Sequence, residues 1–230
     1  MNICLIPARS GSKRLKNKNI INFFGKPIIS YTIEKAIKSN LFDKVIVTTN
    51  SKKIASISKK YGAEVPFLRP KKYSNDFASD LMVLDHFLTY SKKNNFLINT
   101  LCYLYPINPL LKISTLKKCK KLILKHNSHK VMTVSKFSYP IQRALKKDKQ
   151  GFFIPINIKN HSRRSQDLIE CFQDAAQCYW YNIKKNSNID KIKKSKTLAV
   201  ELKQFEFYDI DTNEDYKNLK KIYKNKLNKS

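Results

Sequence analysis

Short apolar runs alternate, over the first 135 residues, with longer stretches in which apolar residues recur every three or four positions. The apolar runs predict buried strands, and the periodic stretches predict amphipathic helices. The predicted strands cover residues 3–6, 44–49, 63–67, 100–105 and 130–135, and the predicted helices cover residues 27–39, 51–60, 79–90 and 113–124. This order predicts an α/β fold, in which a mostly parallel sheet carries helices on both faces.

The pattern changes between about residues 136 and 179, where the chain is polar and has only short β-like pieces. This segment predicts an excursion from the main sheet that can serve as an interface. The chain then returns through β-like residues 197–200 and 206–210 to a last helix, which Thr212 is expected to cap in a capping box with Asp215. The length suffices for one domain, residues 1–230, that contains the excursion.

The first predicted strand ends at Pro7 in a loop that combines small and cationic residues. Its cations are Arg9, Lys13, Arg14, Lys16 and Lys18, and Ser10, Gly11 and Ser12 lie among them. Small residues let backbone N–H groups approach phosphate oxygens, while the cations neutralise their charge. Neither GxxxxGK[ST] nor GxGxxG is present. The loop predicts a site for a nucleoside triphosphate or a similar polyanion, with a solvated loop of a lysine-rich protein as the alternative.

Two carboxylates lie close together near the end of the chain, where Asp209 and Asp211 flank Ile210. In an extended strand, residues two apart project from the same face, so both carboxylates can share one cation. Mg²⁺ characteristically takes one or two carboxylates together with substrate phosphates. The pair therefore predicts a metal site, and the alternative is that Asp211 only caps the last helix.

Loops after the strands of a parallel sheet meet at its carboxyl edge, where ligands of such folds bind. Arg69 and Asn75 lie in one such loop, and Tyr105 and Asn108 lie in another that two prolines stiffen. The excursion adds four side chains that suit a hydroxyl-rich ligand: Gln166, Asp167, Asp174 and Gln177. An ordinary loop or helix surface would also accommodate these residues, so both interpretations stay open.

The net charge of +29 at pH 7 suggests nucleic-acid binding at first sight, but its distribution argues against that function. Only six of the 46 basic residues are arginines, and the lysines are spread over the whole chain. Nucleic-acid readers concentrate Arg and Lys on one element with stacking aromatic residues, and no such motif is recognisable here. The charge predicts attraction of anionic ligands instead. A basic RNA-binding module is the alternative from another class of function.

Targeting signals and metal-binding cysteine patterns are absent from the sequence. No apolar run approaches the length of a transmembrane helix, and residues 3–6 are too few for the core of a secretory signal. The five cysteines form neither a CxxC pair nor a zinc pattern, so they are expected to be reduced thiols, with Cys4 and Cys102 in the core. These features predict a cytoplasmic protein without membrane association.

Taken together, the motifs resemble those of the cytidylyltransferases that activate nonulosonic acids, which are nine-carbon sugar acids of the sialic type. The first loop, IPARSGSKRLKNKN, is similar to the family pattern A-R-x-G-S-K followed by K-N. Further blocks match in order over residues 2–220: FGKPIISYTIEKA, VIVTTNSKKIASISKKYGAEVPFLRP, LYPINPLL and FYDIDTNEDY. SYPIQRAL and RSQDLIECFQDAAQCYW most resemble the pseudaminic acid branch, whose pattern is YPIQRAL followed by RSQDL…HDAGQFYW.

The resemblance implies a Rossmann-like nucleotidyltransferase fold and a homodimer formed through the excursion. It also implies a reaction in which CTP and the sugar acid give a CMP-sugar and pyrophosphate in the presence of Mg²⁺. Residues assigned in this way to catalysis are Arg9, Lys13, Asp209 and Asp211, of which the two aspartates would hold the metal. Those assigned to the nucleotide are Ala8, Arg9, Ser10, Gly11, Ser12, Lys13, Lys18, Asn19, Arg69, Asn75 and Tyr105. Those assigned to the sugar are Asn108, Gln142, Arg143, Gln166, Asp167, Asp174 and Gln177.

Four positions depart from the branch pattern: Ile107 replaces Thr, Asn75 an acidic residue, Gln173 His, and Ala176 Gly. The other residues assigned to the nucleotide and the metal are retained, so the reaction type is expected to hold, and the sugar is the open point. N-acetylneuraminate, legionaminate and 3-deoxy-manno-octulosonate are the alternative sugars. A nucleotide-binding subunit without activity is a further alternative.

Overall fold

The computed structural model describes residues 1–126, 128–184 and 189–228. In this part of the chain the strands are β1 (Asn2–Pro7), β2 (Asn22–Phe23), β3 (Lys26–Pro27), β4 (Lys44–Thr48), β5 (Thr100–Leu104), β6 (Lys130–Lys136), β7 (Leu145–Lys147), β8 (Phe153–Pro155), β9 (Phe172–Asn182) and β10 (Thr197–Glu201). The α-helices are α1 (Ile28–Lys38), α2 (Lys52–Lys60), α3 (Asp80–Lys93), α4 (Ile113–Lys125), α5 (Ile158–His161), α6 (Ile189–Lys194) and α7 (Asn213–Leu227). Each of these helices is too short or too polar to cross a lipid bilayer.

Six strands form the main sheet, in the order β10-β6-β9-β5-β1-β4. β9 is antiparallel to both of its neighbours, whereas the remaining neighbouring pairs are parallel. The five other strands therefore run in one direction. The loops that follow them and the start of β9 consequently meet at one edge of the sheet. This arrangement confirms the predicted α/β fold with a mostly parallel sheet.

Helices cover both faces of the sheet, as the periodicity predicts. On one face α1, α2 and α4 contribute Ile33, Ile54 and Cys119 to a core cluster that includes Cys4 and Trp180 of the sheet. On the opposite face, α3 and α6 pack into a second cluster with side chains of β1, β5 and β9. Alternate residues of the strands enter the two clusters, which is why these strands are apolar without interruption.

A third apolar cluster joins the two ends of the chain beneath the carboxyl edge. It contains Leu15 from the loop after β1, Ile210 from the loop before α7, and Leu219 from α7 itself. Each of these side chains is at most 4% exposed. Burial of Leu15 and Ile210 in the same cluster fixes the loops that carry the predicted phosphate cations and the predicted metal carboxylates.

The strands predicted at residues 63–67 and 206–210 are wrong. Glu64 and Leu68 make only isolated bridges to Ile46 and Thr49, because Pro66 between them lacks the N–H group that a continuous ladder needs. Residues 206–210 lie in a loop that follows a turn, in which Phe205 has a φ of 65°. Asp209 and Asp211 therefore do not share a face of a strand.

The predicted excursion also ends earlier than residue 179. Phe172–Asn182 is β9, which pairs with β5 and β6 in the middle of the main sheet. Its second half is buried on both sides, so it shows no polar alternation that would reveal a strand. The excursion proper is residues 137–171, which contain the β7–β8 hairpin and α5.

A wide bulge interrupts β9 opposite Thr133. Met132 pairs with Tyr179 and Val134 with Asp174, so residues 175–178 face a single residue of β6. Ala176 lies in the bulge with a φ of 46°, in the left-handed region. That conformation costs a residue with a Cβ about 1–2 kcal/mol. The branch pattern has glycine at this position, which would adopt it without that cost.

Helix α1 holds the loop that follows β5 in place through hydrogen bonds from its side chains. The Thr32 hydroxyl donates to the Pro106 carbonyl at 2.9 Å and accepts from the Asn108 N–H at 3.1 Å. One turn later, the Lys35 ammonium donates to the carbonyls of Asn108 and Pro109, at 3.2 and 2.5 Å. This loop is therefore held by buried hydrogen bonds as well as by its two prolines.

The ammonium of Lys35 should make the stability of the protein depend on pH. Burial lowers the pKa of Lys35 from 10.5 to about 7, and repulsion from Lys226 and Lys26 adds to this effect, whereas Glu34 opposes it. Between these two pH values the unfolded chain binds a proton that the folded chain has lost, so the free energy of unfolding rises with pH. Relative to Lys35→Met, the wild-type protein should gain about 2 kcal/mol between pH 7 and pH 9.

Urea denaturation of both proteins at several pH values measures this difference. Because the other charges of the chain are the same in both proteins, the difference between their unfolding free energies isolates the pH dependence that arises from Lys35. A difference in unfolding free energy that stays constant from pH 6 to pH 9 would contradict the prediction.

Candidate active site

A cavity of about 420 Å³ opens at the carboxyl edge of the sheet. This volume falls within the range of small-molecule sites. Its walls come from the loops after β1 and β5, the loop before α3, the bulge of β9 and the loop before α7. Ten of the residues predicted for the site line it: Arg9, Ser12, Lys13, Lys18, Asn19, Arg69, Tyr105, Gln177, Asp209 and Asp211.

The loop after β1 places four cations around the mouth of the cavity, and two carboxylates from distant segments pair with them. Arg9 and Lys13 form ion pairs with Asp76, at 2.8 and 2.7 Å. Arg14 and Lys18 form ion pairs with Asp211, at 2.8 and 3.1 Å. These four cations therefore lie along the wall and mouth of the cavity, where Lys13 and Arg14 remain exposed to solvent.

The backbone of this loop is arranged in a way that suits an anion. The amide of Asn19, which is buried, donates to the Arg9 carbonyl at 2.8 Å, and the Ser10 N–H donates to the Asn50 side chain at 2.9 Å. Gly11 has a φ of 88°, which permits the turn. The N–H groups of residues 11–13 have no hydrogen-bond partner within the described part of the chain. Successive free N–H groups in a turn are a recurrent anion-binding arrangement.

Arg69 is a buried cation in the wall of the cavity and is only 4% exposed. Its Nε donates to the Ser74 hydroxyl at 3.1 Å, but its Nη1 is buried without a partner among the described residues. Burial lowers the pKa of Arg69, and the nearby Arg9 adds to this effect. Because a guanidinium stays charged in proteins, Nη1 is a donor that an anionic or carbonyl-bearing ligand can satisfy.

Two acidic residues of the cavity wall, Asp76 and Asp80, were not among the residues predicted for the site. Asp80 begins α3 and accepts from the hydroxyls of Tyr103, at 2.8 Å, and of Tyr105. Burial and the charge of Asp80 raise the pKa of both tyrosines. Asp76 lies in the loop before α3 and Asp80 at the first position of this helix, and no motif in the sequence singles them out as site residues.

Asn75 and Asp76 have different environments although they are neighbours. The side-chain oxygen of Asn75 accepts from the Phe77 N–H at 3.0 Å, which closes a local turn. Asn75 does not line the cavity, and Asp76 is the acidic residue that faces the loop after β1 (residues 9–18), which we call the basic loop. The nucleotide contact that the resemblance implies for Asn75 therefore stays a prediction.

Asn108 and Gln177 connect the loop after β5 to the bulge of β9. Asn108 is 1% exposed, and its amide nitrogen donates to the carbonyls of Tyr105 and Gln177, at 2.9 and 3.0 Å. Gln177 and Ala176 line the cavity, whereas Asn108 lies behind its wall. A sugar that enters the cavity would meet Gln177 and not the buried Asn108.

The remaining residues predicted for the sugar lie outside the walls of this cavity. Gln142 and Arg143 bond within the excursion, to the Ile169 and Arg163 carbonyls, and Asp167 forms an ion pair with Arg164 at 2.8 Å. Residues of this group that do not line the cavity are Asn108, Gln142, Arg143, Gln166, Asp167 and Asp174. Ala8, Ser10 and Gly11 likewise belong to the basic loop without lining the cavity.

Asp174 lies between the excursion and the cavity. Its carboxylate accepts from the Tyr179 hydroxyl at 2.5 Å and from the Ala176 N–H at 2.9 Å. Burial and the hydrogen bond to Asp174 raise the pKa of Tyr179. Asp174 therefore fixes the shape of the bulge that presents Ala176 and Gln177.

The donor set at Asp209 and Asp211 fits a hard divalent cation. The cap of α7 is Thr212, whose side chain forms a capping box with Asp215, so capping does not occupy Asp211. Both carboxylates line the cavity beside the basic loop. Within the described residues, no three acidic, histidine or cysteine side chains converge on one point. Two carboxylates would fill only part of the coordination shell of Mg²⁺, which characteristically takes substrate phosphate oxygens as well.

Comparisons with known proteins agree with this geometry. The family model described as cytidylyltransferase matches residues 3–229. The pseudaminic acid cytidylyltransferase of Campylobacter jejuni serotype O:2 is 36% identical over 223 residues, which cover 97% of this chain and 96% of that protein. The CMP-N,N'-diacetyllegionaminic acid synthase of Legionella pneumophila is 34% identical over 151 residues, which cover 65% of this chain and 64% of that protein.

The fold is also found among solved structures. A structure of CMP:2-keto-3-deoxy-manno-octonic acid synthetase complexed with CTP superposes with a TM-score of 0.69 and covers 98% of this chain and 99% of that one. The 4-diphosphocytidyl-2C-methyl-D-erythritol synthase of Anaerococcus prevotii superposes with a TM-score of 0.65 and covers 96% of this chain and 94% of that one. Sequence identities of 15% and 14% limit these two likenesses to the fold.

Proposed function

The chain belongs to the cytidylyltransferase family, and we propose that it transfers CMP from CTP to pseudaminic acid with release of pyrophosphate. The observation that carries this proposal is the convergence of the basic loop and the Asp209/Asp211 pair on one cavity. These two segments are nearly 200 residues apart in the sequence, and an ion pair between Lys18 and Asp211 joins them. Binding of a triphosphate requires cationic side chains and also a metal ion. In this site the basic loop supplies the cations, and the Asp209/Asp211 pair would hold the metal.

Two observations support pseudaminic acid as the sugar. The relatives that match nearly the whole chain at 36% and 35% identity are described as pseudaminic acid cytidylyltransferases. The SYPIQRAL and RSQDL motifs of that branch both lie in the excursion. Ile107 and Ala176, which depart from the branch pattern, both line the cavity. Legionaminate, N-acetylneuraminate and 3-deoxy-manno-octulosonate are therefore outcomes that the assay must separate.

The anomeric hydroxyl of the sugar acid loses its proton to solvent and attacks the α-phosphorus of CTP, and the bond between this phosphorus and the oxygen that bridges to the β-phosphate breaks in line with the attack. Arg9 and Lys13, at the mouth of the cavity, stabilise the negative charge that develops on the departing pyrophosphate. Free N–H groups of residues 11–13 and the ammonium of Lys18 hold the phosphate chain in position. Arg69 offers its unpartnered Nη1 to the nucleotide from the wall of the cavity.

Asp209 and Asp211 would hold a Mg²⁺ ion. When bound, this ion supplies Lewis-acid stabilisation of charge on the phosphate oxygens. Asp211 also forms ion pairs with Arg14 and Lys18, so the proposed metal site adjoins the cations of the basic loop. We also propose that the reaction takes place in the cytoplasm, as the absence of a targeting motif in the sequence predicts.

We further propose that two copies of the chain associate through the excursion. Its hairpin and the residues after it expose large apolar side chains, among them Phe153 at 65%, Ile158 at 73% and Ile169 at 82% exposure. A segment that exposes several large apolar side chains is typical of an interaction site. Pairing with a second copy would cover it. Sedimentation velocity should then give twice the chain mass of 26.9 kDa, and a monomer at assay concentrations would contradict this arrangement.

Release of pyrophosphate from CTP tests the proposed reaction. The protein is incubated with CTP, Mg²⁺ and each of the four sugar acids separately, and the CMP-sugar is identified by mass spectrometry. Turnover should be fastest with pseudaminic acid and should require CTP, with UTP, GTP and ATP as controls. Faster turnover with another acid would reassign the sugar, and no pyrophosphate release with any acid would contradict the proposed function.

A further inference from the structure

Asp76 binds two cations of the basic loop at once. Its Oδ1 accepts from Arg9 Nη1 at 2.8 Å, and its Oδ2 contacts Lys13 Nζ at 2.7 Å. Within the described part of the chain, the side chains of Arg9 and Lys13 form no other ion pair or hydrogen bond. A carboxylate that bridges two cations through separate oxygens has the same arrangement as a phosphate group between them.

The loop before α3 holds Asp76 in this position through its own hydrogen bonds. On one side, the Ser74 hydroxyl accepts from Arg69 Nε and donates to the Pro70 carbonyl, each at 3.1 Å. On the other side, the Asn75 side chain accepts from the Phe77 N–H at 3.0 Å, and Ser79 caps α3. Asp76 therefore lies between two preformed turns, and little ordering is required for it to meet the basic loop.

The contact is strong enough to organise the cations but weak enough to be displaced. The hydrogen bonds from Lys13 and Arg9 hold the pKa of Asp76 below its usual value, so the carboxylate stays charged near neutral pH. However, both ion pairs are exposed to solvent, with side-chain exposures of 36% for Arg9, 80% for Lys13 and 41% for Asp76. Exposed pairs of this kind contribute little to stability, so a polyphosphate with several charges can replace the carboxylate.

We propose that Asp76 is an intramolecular competitor for the pyrophosphate portion of the ligand, and this inference rests on the proposed function. It occupies Arg9 and Lys13 when the cavity is empty and yields them to the triphosphate of CTP. After the transfer, it takes them back as pyrophosphate leaves. By this competition Asp76 lowers the affinity for pyrophosphate and favours release of that product. A ligand that lacks the β- and γ-phosphates, such as CMP, does not reach these cations and is not affected.

Calorimetric titration with inorganic pyrophosphate and with CMP tests the proposal on wild-type protein, Asp76→Asn and Asp85→Asn at one fixed salt concentration. Asp85 is an exposed residue of the same loop–helix region, so its variant reproduces the change in net charge without touching the basic loop. Asp76→Asn should bind pyrophosphate about fivefold more tightly than Asp85→Asn. This ratio corresponds to the small free energy that two exposed ion pairs contribute, which pyrophosphate must overcome in the presence of Asp76. The two variants should bind CMP equally. Asp76→Glu should restore affinity for pyrophosphate toward that of the wild type.

Three results would overturn the proposal. Equal affinity of Asp76→Asn and Asp85→Asn for pyrophosphate would show that the carboxylate does not compete. Weaker binding by Asp76→Asn would show that Asp76 positions Arg9 and Lys13 for the phosphates instead. Failure of the proposed function has a different signature, because the wild-type protein would then release no pyrophosphate from CTP with any sugar acid. Absence of pyrophosphate binding by every protein would overturn the assignment of the basic loop as well.

Discussion

Replacing Asp211 with Asn should lower turnover by about a thousandfold or more and leave CTP binding within about fivefold of the wild type. The neutral amide cannot replace a carboxylate in a Mg²⁺ site, so charge on the phosphate oxygens loses its stabilisation. CTP binding should survive because the substitution also frees Arg14 and Lys18 from their ion pairs with Asp211. Both cations then remain available to the triphosphate.

Steady-state kinetics measures the loss of turnover, and titration with Mn²⁺ in the presence of CTP measures metal binding without relying on activity. The variant should bind Mn²⁺ much more weakly than Asp85→Asn, the control with the same change in charge. Thermal unfolding should be close to that of the wild type, because Thr212 and Asp215 still cap α7. Activity like that of the wild type, or unchanged binding of Mn²⁺, would contradict the assignment of this pair to the metal.

Replacing Arg69 with Met should weaken CTP binding about 100-fold without lowering the thermal stability of the free protein. The loss of affinity is that expected when a buried, charge-assisted hydrogen bond to a ligand is removed. Stability should not fall, because the free protein buries this guanidinium with Nη1 unpartnered among the described residues, and such burial is costly. Methionine fills a similar volume and removes that cost.

Calorimetric titration with CTP and differential scanning calorimetry together test this prediction. Arg163→Met, which changes an exposed arginine of the excursion, is the matched control and should affect neither measurement strongly. A marked fall in the melting temperature of Arg69→Met would show that Arg69 is mainly a structural residue. CTP binding equal to that of the control would show that Arg69 does not contact the nucleotide.

Both predictions depend on how the site is assembled from segments that are far apart in the chain. Arg69 approaches the cavity because its N–H donates to the Thr49 carbonyl at 2.7 Å, which ties the loop before α3 to the end of β4. Asp211 approaches the basic loop because Ile210 and Leu15 share one apolar cluster. A backbone hydrogen bond of Arg69 and an apolar contact next to Asp211 therefore set the geometry of these charged groups.

Apolar patterning was sufficient to predict the sheet wherever strands end in clear turn signals. The runs at residues 3–6 and 100–105 became strands inside the sheet, and the helices predicted at residues 27–39 and 113–124 are present as α1 and α4. The pattern failed at Pro66, which interrupts a ladder, and at residues 206–210, where a turn replaces a strand. It also failed for β9, because a strand buried on both faces and broken by a bulge shows no periodicity.

For the site, the sequence by itself determined the chemistry: small residues and cations after the first strand, a carboxylate pair near the end of the chain, and the motifs of a family. Tertiary structure alone decided which residues meet. It placed Asp76 and Asp80 in the cavity, buried Asn108 behind its wall, and left Gln142, Arg143, Gln166 and Asp167 outside it. The physical reason is that the chemistry available to a site depends on residue types, which the sequence shows directly. Which charged side chains meet depends on how apolar residues of distant segments are buried together, and only the tertiary structure shows that.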